Sequence, residues 1–169
     1  ALVASLVHPL LAIMALLLAG AFLSSTAGMF VAAAYVAGIA VAFYVGVVGL
    51  ALLRTPAQGP TLLALRLAIM ALAVTVALGI TLATGIGYGR NLPLIEITHV
   101  HAAWGLGGWA LILVMGVSYY VVPMFQLTPP YPRKLSWALP PGLIVILLAW
   151  SWRVGGAVAP WQEAVYLAG

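Results

Sequence analysis

A chain of 169 residues that is 66% hydrophobic and 5% charged cannot cover a water-facing surface, for which roughly a quarter of residues carry charge. Six Lys/Arg against two Asp/Glu leave a net +4 spread thinly along the sequence, which excludes the clustered cations of a nucleic-acid partner. Cysteine is absent, so disulfides, thiolate metal sites, iron–sulfur clusters and Cys-attached c-type haem are excluded as well.

A hydrocarbon core about 30 Å thick asks for roughly 20 apolar residues of helix, and lipid offers backbone groups no other partner. Five such stretches are predicted, at residues 2–23, 29–53, 61–85, 96–124 and 136–153, with a sixth beginning near residue 157. The expected fold class is all-α, a polytopic transmembrane helical bundle forming one domain across residues 1–169, and its first partner is the lipid bilayer. Ala1 stands where a start Met is expected, and residues 161–169 stop inside a fresh apolar stretch. The sequence is therefore expected to be a piece of a longer protein, or a processed one.

The breaks between spans carry turn chemistry: Ser24-Ser25-Thr26 with Gly28, Arg54 to Pro60, Gly85 to Pro93, and Thr128 to Pro132. Gly85–Gly89 is Gly-rich but lacks the lysine and the strand-to-helix setting of a phosphate loop, so a flexible outer loop is predicted there. Alternation of five spans puts the loops around residues 57 and 131 on one side, with Arg54, Arg66, Arg133 and Lys134. The other side holds Arg90 and Arg153. The positive-inside rule then assigns the first side to the cytoplasm, with Arg66 snorkelling from the end of its span.

Polar groups in lipid are costly, so each raises a functional question. His8, before Pro9, reads as an interfacial hydrogen-bonding residue. His99 and His101 open the fourth span in Thr98-His99-Val100-His101, and a two-residue step turns a helix by about 200°, so they point to different sides and do not easily hold one metal from a regular helix, with His99 the lesser metal candidate beside His101. His101 shares a stripe with Gly105, Gly108, Ile112 and Tyr119. Its two glycines leave a flat space for either a macrocycle edge or a neighbouring helix. His99 shares its side with Ala103, Leu106, Ala110 and Leu113, an ordinary packing face. Trp104, Trp109, Tyr119, Tyr120, Trp137, Trp150 and Trp152 read as an interfacial belt. Glu96 is placed to pair with Arg90 or to admit a proton. No Ser/His/Asp set is available, because the chain contains no Asp.

From the fourth span onward the chain resembles subunit I of the heme-copper oxidase superfamily around its second and third helices. The resemblance rests on His101 opening a helix that closes in Ser118-Tyr119-Tyr120-Val121-Val122-Pro123-Met124. It continues through Pro132-Arg133 to Trp137-Ala138-Leu139-Pro140-Pro141-Gly142-Leu143. A similar histidine-bearing helix in C-type oxidases ends in a Ser-Tyr-Tyr-Val-Val-like run. A-type enzymes read similarly through Val-Pro, Pro-Arg and Trp-x-Leu-Pro-Pro. About residues 95–145 are covered, and the first three spans match no oxidase helix. The whole sequence looks more like small proteobacterial membrane proteins related to that subunit and to the nitric-oxide-response haem-copper proteins.

The resemblance implies a multi-pass protein of the bacterial inner membrane in which His101 is an axial ligand of a b-type haem, with Gly105 and Gly108 on the haem or helix-packing face. Electron transfer or gas sensing is the implied role. The second axial ligand would come from another part of the protein or another membrane subunit. His99 and His8 alone cannot complete a copper site, so copper and a full oxygen-reducing centre are not expected in this chain. The rival reading is a non-catalytic structural subunit beside a larger respiratory or photosynthetic complex. A transporter is disfavoured, because the spans lack paired intramembrane charges. The glycines at 105, 107, 108 and 116 further predict that the fourth span is the most tightly packed.

Overall fold

The structure is a computed structural model that describes the backbone of residues 2–167 and the side chains of residues 3–155. Helices α1 (Leu2–Ser24), α2 (Ala27–Arg54) and α3 (Pro60–Gly87) are followed by α4 (Leu94–Ala103), a π-helical segment (Trp104–Ala110) and α5 (Leu111–Gln126). Helix α6 (Arg133–Leu167) closes the order. Among the described residues, five stretches are long and apolar enough to cross a membrane: Val3–Ser24, Ala27–Arg54, Pro60–Gly87, Leu94–Gln126 and Arg133–Gly155. The chain is thus an all-α, multi-pass membrane protein. The sixth span expected near residue 157 lies outside the residues whose side chains are described.

The helix ends follow local chemistry. Pro60 starts α3, where its missing N–H costs nothing, and Leu127 at φ 52° ends α5 in the left-handed conformation. Within the spans, Thr75, Thr81, Thr84, Thr98, Ser118 and Ser151 each donate to the carbonyl four residues back. That bond removes the cost of a bare hydroxyl in lipid. Arg66 does more than snorkel. Its Nε and Nη2 donate to the Leu52 carbonyl at 3.2 and 2.9 Å, and Nη2 reaches the Thr55 carbonyl at 3.4 Å. A guanidinium from α3 thereby satisfies orphan carbonyls at the negative end of α2.

Helix α3, not the fourth span, is the packing centre. It lies against α2, α4, the π segment, α5 and α6, whereas α1 packs on α2 alone. Ala64, Ala68, Ala71, Thr75 and Gly79 form one seam along α3, spaced 4, 3, 4 and 4. The opposing helix runs antiparallel and meets this seam with Gly116, Ile112, Gly108, Gly105 and His101. A methyl placed on Gly116 would lie 2.8 Å from Ala64 Cβ, and one on Gly108 would lie 3.0 Å from Ala71 Cβ. Such approach requires small residues on both sides. Leu111 N–H closes the π segment on the Leu106 carbonyl, five residues back rather than four.

Three other expectations are corrected. Trp104 is no belt residue: only 3% exposed, it packs against α3 and α6, and its indole N–H donates to Ser151 Oγ at 2.9 Å. Gly85 and Gly87 belong to helix α3 rather than to a loop, and a methyl on Gly87 would strike Val31 Cγ2 at 2.5 Å. No ion pair joins Arg90 to Glu96. Arg90 instead sits 5.3 Å over the Tyr88 ring. Tyr88 shares a 3.4 Å hydrogen bond with Tyr35, which raises its phenol above the ordinary value while Arg90 pulls the other way.

Candidate functional site: an apolar cavity with one imidazole

Among the described residues the backbone of α1 closely approaches α2 alone, and a cleft remains between α1 and α4 above the α2–α3 floor. It encloses about 410 Å³, within the usual range of small-molecule sites, roughly 300–1,000 Å³. Met14 and Leu18 line it from α1, Phe30 and Ala34 from α2, and Gly79 and Ala83 from α3. Helix α4 contributes Leu94, Thr98 and His101. Alanine and glycine on the floor create the space that larger side chains would fill. Thr98 Oγ1 is already engaged with the Leu94 carbonyl at 2.7 Å.

His101 is held by two features of α3. Its Nδ1 lies 2.9 Å from the Thr75 carbonyl oxygen, an acceptor only, so Nδ1–H is the donor. The ring rests on Gly79, where a methyl would approach Cε1 to 3.0 Å. With the proton on Nδ1, the lone pair of the neutral ring is on Nε2, which has no hydrogen-bond partner among the described residues. A half-buried imidazole is therefore fixed in tautomer and orientation beside an apolar cavity.

The remaining sequence candidates lie elsewhere. Gly105 faces Thr75, whose Cγ2 would be 3.3 Å from an added methyl, and Gly108 faces Ala71 and Leu147. Both are filled by neighbouring helices, so the flat space of that stripe is a helix seam and not part of the cavity. His99 is exposed on another side of α4, and Leu106, on the side expected to be an ordinary packing face, is 73% exposed. His8 Nδ1 lies 2.9 Å from the Ala4 carbonyl within α1. No group of three or more His, Cys, Asp or Glu side chains gathers among the described residues. The Thr75 carbonyl, Gly79 and Met14 were not foreseen. The 4-3-4-4 spacing shared by the two seams is the signal that could have found the first two.

Comparison of the chain with protein-family models, curated proteins and solved structures gave no match.

Proposed function

We propose that the chain is a haem-binding subunit or segment of a bacterial inner-membrane protein related to heme-copper oxidase subunit I, with His101 as an axial ligand of a b-type haem. The observation that carries this reading is the state of His101: Nδ1–H given to the Thr75 carbonyl, Nε2 unpartnered, and the ring at an apolar cavity. Metal-bound histidines characteristically donate their second ring nitrogen in this way, which fixes the tautomer and raises ligand basicity. The fit extends to the lining, which is apolar and excludes water. A bound haem supplies one-electron redox chemistry or a gas-binding iron. The chain's own contributions are orientation by Thr75, close seating by Gly79 and exclusion of water by the lining. Copper finds no ligand set among the described residues.

The same hydrogen bond also favours a second reading, in which His101 joins α4 to α3 as structural glue in a subunit packed against other membrane proteins. Haem titration of the purified protein in detergent separates the two. A saturable, ligand-type absorption band at one haem per chain is expected; a spectrum identical to free haem in the same detergent removes the haem reading.

The inner membrane also sets an orientation. Loops 55–59 and 128–132 lie at one end of the bundle, where Gly116 meets Thr61, and the Arg/Lys excess there assigns that end to the cytoplasm. Reporter fusions at residues 131 and 89 should report opposite sides, with 131 cytoplasmic. An external signal at 131 would reverse the assignment.

A further inference from the structure

Resting on the haem reading above, we infer that Met14 is the second axial ligand, presenting its thioether to the haem iron from the α1 wall while His101 binds from the α4 wall. Among the side chains lining the cavity, only three carry a lone pair on nitrogen, oxygen or sulfur: His101, Thr98 and Met14. Thr98 offers only the oxygen of a neutral hydroxyl, whose hydrogen goes to the Leu94 carbonyl, a hard donor poorly suited to haem iron, which leaves one imidazole and one thioether. They come from helices that do not pack on each other, so the cavity separates them. They also lie at similar depth. At 1.5 Å per residue, Met14 sits about 15 Å along α1 from Ser24, and His101 about 10 Å along α4 from Leu94, both ends being at the same side of the bundle.

Met14 is half-buried between exposed neighbours at 12, 13, 15 and 16, so its side chain turns inward rather than to lipid. Met29 makes the contrast, because its sulfur accepts a hydrogen bond from Ser24 Oγ at 3.7 Å and packs at Gly20. A thioether is a soft, neutral ligand that adds no charge to an apolar site, and a His/Met pair raises the haem potential. No second histidine from another chain is then required.

The test uses the full chain loaded with haem in detergent, read by absorption, electron paramagnetic resonance and midpoint potential. Wild type is expected to be six-coordinate and low-spin. Met14→Leu, which nearly conserves volume, should retain haem through His101 but lose the low-spin signal, and Met14→His should restore it at a lowered potential. Met70→Leu, at a position 41% exposed on α3, should match wild type. A Met14→Leu protein that keeps the wild-type low-spin spectrum and potential overturns the Met14 assignment while leaving His101 as ligand. A wild-type protein that binds no haem overturns both.

Discussion

If His101 holds a haem as proposed, His101→Ala is expected to abolish the ligand-type haem band of the loaded protein, while His99→Ala is expected to leave the band in place. The alanine variant removes the imidazole that lines the cavity, and no other α4 residue lining it carries a nitrogen or sulfur ligand: Thr98 is a neutral hydroxyl and His99 lies on another side. Both variants should insert normally, because insertion follows hydropathy rather than one imidazole. A graded version of the same experiment uses Gly79→Val. Its Cβ alone would stand 3.0 Å from His101 Cε1, so the branched side chain displaces the ring from its carbonyl. Losing the support of a ligand typically costs about 10–100-fold in metal affinity, and a loss of that size with a shifted spectrum is expected. An unchanged band in His101→Ala would return the histidine to a purely structural role.

Gly116→Leu is expected to damage the α3 seam severely. Its Cβ would meet Ala64 Cβ at 2.8 Å, and an alanine Cβ is fixed to the backbone and cannot rotate away. Overpacking a tight site costs about 1–3 kcal/mol, occasionally more, enough to lower the unfolding temperature in detergent measurably. Gly142→Leu supplies the control, since no atom lies within 4 Å of a methyl at that position, and it should unfold near the wild-type temperature. Gly108→Leu should fall with Gly116→Leu. Coincident melting of the Gly116 and Gly142 variants would refute the seam.

The spans themselves were legible because length and hydropathy alone select a membrane helix, and the five predicted stretches fall within a few residues of the observed ones. Packing was less legible. Four glycines drew attention to the fourth span, but close approach needs small residues on both partners, and the alanines of α3 are unremarkable in a chain this rich in alanine. Trp104 was assigned to the interface because aromatic residues near span ends usually lie there, while its burial depends on α6 bringing Ser151 within reach. The π segment leaves no mark in a hydrophobic pattern, since its wider turn differs little from 3.6 residues over seven positions. For the candidate site, His101 was visible as an intramembrane histidine. The cavity was not, because most of its wall lies in the first three spans, outside the oxidase-like region.

The clamp of Arg66 on α2 bears on biogenesis. A guanidinium emerging into a bilayer with α3 would ordinarily wait for a distant acidic partner, and among the described residues none pairs with it. Its acceptors, the Leu52 and Thr55 carbonyls, were synthesised only 14 and 11 residues earlier. The Arg66 charge is therefore solvated by carbonyl dipoles that lie within a single helical hairpin. Helices α2 and α3 can enter the membrane as a closed pair, with the small-residue face of α3 bare and apolar until the histidine-bearing helix arrives to cover it.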